Sequence, residues 1–160
     1  MPFIAIAIFL ATVLVGGHVP PFDQITSPGY TLVATHGTYG IIIDERFAVP
    51  FLGEPGETWT PTREDIVSAE ALLRQLRPDD AITPEQRQEA AVPEDLVSRT
   101  WYGGYQEGVR MLYVNGYCDG GMPDNPLMPV FVADGGPCFW YAIINAETWE
   151  IAWYIENGNA

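Results

Sequence analysis

The sequence predicts an α+β fold in which one main helix, about residues 61–77, packs on one face of an antiparallel sheet of four or more strands. Two observations carry this prediction. The run from Thr100 to Ala160 alternates apolar and polar residues in hairpin-length segments. Residues 61–77 carry an apolar stripe at helical spacing. Because that stripe needs the sheet to cover it, residues 29–160 are predicted to form a single domain.

The N-terminal residues 1–17 are predicted to be a signal-like segment. Residues 3–17, FIAIAIFLATVLVGG, are uncharged and apolar, and shorter than the roughly 20 residues of a membrane-spanning helix. We therefore expect export to the periplasm or the extracellular medium. The alternatives are an uncleaved segment that tethers the chain to a membrane and an N-terminal core element. The proline-rich residues 18–28 are predicted to be a linker.

A first hairpin is predicted between Tyr30–Thr35 and Tyr39–Asp44. Both segments are rich in β-branched and aromatic residues, and His36-Gly37-Thr38 supplies a turn between them. His36 is one of only two histidines in the chain. As a lone turn residue it is predicted to be solvated or structural, and not a ligand or a base.

The helix has start and stop signals as well as a stripe. Thr60 is the predicted cap, Pro61 occupies the first helical position, and Pro78 ends the helix. Acidic residues follow the start, where they favour the positive end of the helix dipole. The predicted core stripe consists of Ile66, Ala69, Leu72 or Leu73, and Leu76. The polar residues 78–99 are predicted to form an exposed connection.

Two hairpins are predicted in the C-terminal run. The first turns at Gln106-Glu107-Gly108. In the last strand, the predicted buried face consists of Trp149, Ile151, Trp153 and Ile155, opposite Glu150, Ala152, Tyr154 and Glu156. On that prediction Trp153→Ala destabilises the fold by about 3–5 kcal/mol, and Glu150→Ala by about 0.5 kcal/mol or less. The alternative is that the aromatic residues form an exposed platform for a carbohydrate.

The charge balance excludes some classes of partner. The formal net charge of -14 results from 21 acidic residues against seven arginines, and the chain has no lysine. A field of this sign repels phosphate backbones, so nucleic-acid binding is not expected, and an anionic membrane surface is a poor partner. A cationic or protein ligand of the cell envelope remains as the expected partner, although a solvated acidic surface also accounts for the charge. No cofactor is predicted.

The only two cysteines, Cys118 and Cys138, are predicted to form a disulfide. Two cysteines in an exported chain favour this pairing, and closing a loop of about 21 residues stabilises a fold by roughly 3 kcal/mol in the chain-entropy model. A redox pair would usually have the spacing C-x-x-C. The loop also contains Asp119, Asp124 and Asp134 as candidate cation ligands. Their spacing is not that of a calcium loop, and turn formation explains them as well.

No catalytic residue is predicted, because the chain lacks the G-x-S-x-G, H-E-x-x-H, P-loop and G-x-G-x-x-G motifs. The first functional hypothesis is a non-enzymatic envelope or secreted protein that binds through its acidic surface or through the Cys118 to Cys138 loop. One alternative is a hydrolase that uses carboxylates such as Asp119 and Asp134, with or without a metal. Another is a polymerising structural subunit, if residues 3–17 are retained.

Several short motifs resemble a group of small exported bacterial proteins, often lipoproteins, with no assigned function. The matching segments are WTPTREDI (residues 59–66), Glu70, WYGGYQEG (101–108), YVNGYC (113–118), VADGGPCF (132–139) and the terminal NGNA. The resemblance covers about residues 30–160 and implies export. The chain departs from the lipoproteins because no cysteine follows its apolar segment, so a lipid anchor on a cysteine at that site is not expected.

The segment INAETWEIAWY, residues 144–154, resembles the last hairpin of PepSY-type domains. Such a relationship would imply peptidase inhibition or regulation in the cell envelope. The sequence departs from that pattern at Trp149, because the turns of those domains usually carry glycine there.

Overall fold

The computed structural model describes residues 24–35, 38–48, 57–77, 97–117, 123–127 and 136–157. These residues form eight strands and one α-helix, so the fold is mixed α+β and consists mostly of sheet. The elements are β1 (Gln24–Ser27), β2 (Tyr30–Thr35), β3 (Thr38–Ile43), β4 (Thr58–Trp59), α1 (Arg63–Leu76), β5 (Val97–Gln106), β6 (Val109–Gly116), β7 (Trp140–Asn145) and β8 (Glu150–Glu156).

The strands form one sheet in the order β1-β2-β3-β5-β6-β7-β8, and the short β4 pairs with β5. The predicted hairpins β2–β3, β5–β6 and β7–β8 are confirmed. The prediction of an antiparallel sheet of four or more strands is confirmed in strand number and for most strand pairs, whereas β3 and β5 are parallel. The chain passes through β4 and α1 between these two strands, and a crossover of this kind allows parallel neighbours. Strand β1 lies within the residues predicted to be a linker.

The helix begins two residues later than predicted. Thr62 is the N-cap: its hydroxyl accepts a hydrogen bond from the backbone N–H of Asp65 at 3.2 Å, and the Asp65 carboxylate accepts from the Thr62 N–H at 2.8 Å. This reciprocal capping box satisfies two backbone donors at the helix start. Thr60, the predicted cap, instead accepts from the backbone N–H of Glu45 at 2.9 Å.

The buried stripe of α1 packs on one face of the sheet, here called the helix face. Ile66, Ala69 and Leu73 belong to one core cluster with strand residues of that face. The strand members are Val33, Ile42, Trp59, Trp101, Leu112, Val114, Trp140, Ala142 and Ile144. A second cluster, on the opposite face, contains Leu32, Ile41, Val97 and Tyr117. Leu76, predicted in the stripe, is 49% exposed at the helix end.

Three tryptophans of the helix face lie over glycines. A Cβ atom added to any of these glycines would overlap an indole ring, so each glycine leaves the space that the ring occupies. The pairs are Trp101 over Gly40, Trp59 over Gly103 and Trp140 over Gly116.

Several sequence predictions lie outside the described residues. They are the signal-like segment 1–17, most of the predicted linker, His36 of the predicted turn, residues 78–96 of the predicted connection 78–99, and Cys118. The prediction of an exposed connection is wrong for residues 97–99, which are buried because they begin β5. Within the described ranges, α1 is neither long enough nor apolar enough to cross a membrane.

We predict that Gly116→Ala lowers the free energy of unfolding by about 1–3 kcal/mol, because the new methyl group overlaps the buried ring of Trp140. Urea unfolding followed by circular dichroism measures this change. Gly104→Ala is the comparison variant on the neighbouring strand. Its Cβ would lie 3.1 Å from the ring edge of Tyr113, farther than the Gly116 Cβ would lie from the Trp140 ring, so a smaller loss is expected. An equal loss in both variants would contradict the close contact at Gly116.

Candidate functional site

A register shift in the β7–β8 hairpin decides which side chains of β8 are buried. Ile144 pairs with Ile151, whereas the preceding Ile143 pairs with Trp153, so Ala152 is an extra residue in β8. Side chains alternate between the two faces of a strand. An extra residue therefore moves every residue after it to the face opposite the one that simple alternation assigns.

The predicted buried face is therefore right for Trp149 and Ile151, which pack against the core, and wrong for Trp153 and Ile155. Ile151 and Tyr154 are the strand residues that pack against the core on the helix face. Trp153 and Ile155 point to the opposite face and are 38% and 45% exposed. Tyr154 takes the inward position that the sequence pattern assigned to Trp153.

Trp149 lies in the turn before β8, and its backbone is left-handed with φ 57°. Its N–H donates to the carbonyl of Asn145 at 2.9 Å. The Asn145 side-chain oxygen accepts from the backbone N–H groups of Glu147 and Thr148 at 2.9 and 3.0 Å. A left-handed backbone is uncommon for a bulky residue. Packing of the Trp149 ring against the core compensates for this cost.

Four side chains on the face opposite α1 form the candidate binding surface, here called the apolar patch. They are Tyr113, Ile143, Trp153 and Ile155. Three of them line a small depression, together with Tyr102, Val114, Asn115, Tyr141 and Ala142. The depression is far smaller than the roughly 300–1,000 Å³ of a typical small-molecule pocket. The patch therefore offers a ligand a surface and not an enclosing cavity.

Buried tyrosines form the floor of the apolar patch. Tyr102 and Tyr113 are cross-strand partners, and their rings stack in parallel with 4.9 Å between centroids. Tyr102 and Tyr141 are only 3% and 6% exposed. Cross-strand aromatic pairs stabilise a sheet. The exposed side chains therefore stand on a rigid base.

The hydroxyls of Tyr113 and Tyr141 on this face are neutral at physiological pH. Burial raises the pKa of Tyr141 to about 12, although a side-chain hydrogen bond with Asn115 acts in the opposite direction. Burial also raises the pKa of Tyr113. The charge near the apolar patch therefore comes from neighbouring carboxylates.

The hairpin that carries the patch is acidic. Residues 111–160 include no Lys or Arg, and Glu147, Glu150 and Glu156 lie in or beside β8. Glu156 is paired with Arg77 at 2.6 Å and also accepts from the Tyr154 hydroxyl. Glu150 pairs with Asn145 across the strands and therefore lies on the same face as Ile143 and Trp153.

A buried ion pair connects α1 to the helix face of the sheet. The Arg99 Nε and Glu70 Oε1 atoms lie 3.6 Å apart, and both side chains are almost fully buried. The Arg99 guanidinium also lies 4.6 Å from the ring centroid of Trp140. Sequence reasoning did not assign this pair. The available signal was the position of Glu70, four residues after Ile66 and three before Leu73, on the buried stripe.

The predicted site residues of the Cys118 to Cys138 loop are mostly outside the described residues. Asp124 is exposed in a bend, whereas Asp119 and Asp134 lie in undescribed segments. The described part of the chain contains no group of three His, Cys, Asp or Glu side chains that could hold a metal ion. Cys138 ends a short 3-10 turn, Gly136–Cys138, and the described residues include no free cysteine. Its pairing with Cys118 stays a prediction.

No protein-family model, no curated protein and no solved structure matches this chain. Its function is therefore inferred from its own residues. Among the described residues, five large apolar side chains are between 38% and 49% exposed, and only Trp153 and Ile155 are same-face neighbours on one strand. Scattered exposed apolar residues are normal on a protein surface, whereas contiguous ones mark interaction sites. The apolar patch is the candidate functional site.

We predict that Trp153→Ala lowers the free energy of unfolding by about 1 kcal/mol or less, because the side chain is exposed. Trp140→Ala is the comparison variant, and it should cost about 3–5 kcal/mol, because that ring is fully buried. Urea unfolding of both variants measures the difference. Equal losses would restore the original assignment of Trp153 to the core.

A second prediction concerns alkaline pH. Burial raises the pKa of Tyr117 and of Tyr141 to about 12 in the folded protein, against about 10 when unfolded. Because the folded protein keeps both hydroxyls protonated to a higher pH than the unfolded chain does, their contribution to stability is complete below pH 10. This contribution is lost as the pH rises towards 12. The free energy of unfolding should therefore fall over that range, and less steeply in Tyr117→Phe and Tyr141→Phe. Urea unfolding at a series of pH values tests this, and an unchanged slope in the double variant would contradict it.

Proposed function

We propose that this chain is an exported, non-enzymatic protein of the cell envelope that binds a partner through the apolar patch. The observation that carries the proposal is the exposure of Trp153 and Ile155 side by side on β8, above a floor of buried tyrosines. Exposed aromatic side chains on a rigid base are typical of binding hot spots, where a few residues supply most of the affinity.

The chemistry of the patch favours binding over catalysis. Its members are two isoleucines, one tryptophan and one tyrosine, and the tyrosine pKa is raised by burial. General acid–base catalysis works best with a group whose pKa lies near the working pH. The hydrolase alternative, with Asp119 and Asp134, stays a prediction that no described residue favours.

Export is supported by sequence features that lie outside the patch. Residues 3–17 have the composition of a signal peptide, and the predicted Cys118–Cys138 disulfide suits an oxidising compartment. The resemblance to small exported bacterial proteins agrees with this location. The resemblance of the last hairpin to PepSY-type domains adds regulation in the envelope as a role for the bound complex.

The binding proposal predicts that ligands are lost when the patch loses the indole ring of Trp153. The full chain and its Trp153→Ser variant are each screened against a random peptide library and a panel of bacterial glycans. We expect ligands that the parent protein retains and the variant releases. Glu107→Gln, in the β5–β6 turn, is the control that should retain them, because it changes an exposed acid away from β8.

Circular dichroism of each variant shows whether it is folded. A folded Trp153→Ser variant that binds every selected ligand as well as the parent would overturn the proposal. Selection of glycans alone would identify the patch as a carbohydrate platform. The intact mass of the exported protein tests location: loss of about the first 17 residues is expected, whereas retention of residues 1–17 would favour the tethered alternative.

A further inference from the structure

The outer edge of β8 is where the described sheet ends. Strands β1 and β8 lie at the two ends of the strand order, with lengths of four and seven residues. An edge strand presents backbone N–H and C=O groups that no neighbouring strand satisfies. Proteins protect such edges with proline, charged side chains or bulges. Strand β8 has no proline or lysine, and its only charges are the carboxylates of Glu150 and Glu156, which would not repel a cationic strand. Its bulge lies at Ala152, and the pairing from Trp153 to Glu156 is regular.

Charge disfavours a second copy of the chain at this edge. Each β8 strand carries Glu150 and Glu156 and no basic residue, so two paired β8 strands would bring only like charges together. Each chain also carries a formal net charge of -14. The same field attracts a positively charged partner.

We infer that β8 accepts an extended cationic polypeptide as an additional strand, with its Lys or Arg side chains over Trp153 and towards Glu150. The inference rests on the proposed function, because it uses the same apolar patch. The aromatic face of tryptophan attracts a Lys or Arg head group, and the apolar stem of such a side chain covers the ring. Glu150 supplies the opposite charge, and its only described contact is with the hydroxyl of Thr148.

The other side chains of the bound segment lie on the helix face of the edge. There they meet Ile151 and Tyr154, which are partly buried against the core. Arg77 and Tyr154 already bind Glu156, so this face offers less charge to a ligand. The partner is therefore an extended segment in which cationic and apolar residues alternate. Backbone pairing supplies affinity and the alternation supplies specificity in strand addition.

The test uses an N-acetylated, C-amidated octapeptide of alternating Lys and Val, titrated into the full chain by isothermal calorimetry. Two matched peptides are compared with it. One alternates Glu and Val, and the other is the Lys–Val peptide with every second amide N-methylated, which keeps the charge and removes backbone donors. We expect saturable binding of the first peptide only. Equal binding of the N-methylated peptide would overturn strand addition.

Three variants locate the site. Trp153→Ser should weaken binding about tenfold or more, and Glu150→Gln about threefold. Glu107→Gln should leave it unchanged. An unaffected affinity in folded Trp153→Ser would overturn the inference, because the peptide would then bind elsewhere. The unmodified chain with the N-methylated peptide gives an answer even if a variant fails to fold.

Failure of this inference is distinguishable from failure of the proposed function. If the library or glycan screen yields Trp153-dependent ligands but the Lys–Val peptide does not bind, the inference fails and the binding proposal stands. If neither experiment yields a Trp153-dependent ligand, both fail. Sedimentation that shows concentration-dependent dimers lost in Trp153→Ser would assign the edge to a second copy, which also overturns the inference.

Discussion

The indole ring of Trp140 is the point at which the main parts of the structure meet. It lies over Gly116 of β6, where no Cβ can be accommodated. The guanidinium groups of Arg99 and Arg77 lie 4.6 and 5.4 Å from its centroid. Arg99 also reaches Glu70 of the helix. Burial of this ion pair requires close partners, because an uncompensated buried charge costs several kcal/mol. The hairpin, the central strands and the helix are therefore fixed against one another.

The packing on the helix face determines which side chains are exposed on the opposite face. Ile151 and Tyr154 are held against the core, and the bulge at Ala152 then directs Trp153 and Ile155 outward. A hairpin with free register could exchange the two sets of side chains, whereas one anchored on its inner face cannot. A ligand that binds a surface already in place does not have to order it, and this preorganisation improves affinity.

The arginines are used mainly inside this framework. Among the described residues, arginines pair with carboxylates at Arg46–Asp44, Arg77–Glu156, Arg99–Glu70 and Arg110–Asp65. Arg110 also lies 3.9 Å from the ring centroid of Trp59. These arginines neutralise carboxylates of the chain itself, and the excess of acidic residues leaves the chain with a net negative charge. The surface potential that results favours a cationic partner for the patch.

The sequence by itself determined the α+β class, the helix, and the hairpins β2–β3, β5–β6 and β7–β8, because local periodicity and turn residues specify these elements. Tertiary structure decided the rest. The parallel pairing of β3 with β5 depends on contacts between residues far apart in the chain. The capping box placed the helix start at Thr62. The bulge at Ala152 exchanged the faces of β8, since strict alternation reads a strand as regular and one extra residue reverses the assignment of every side chain that follows.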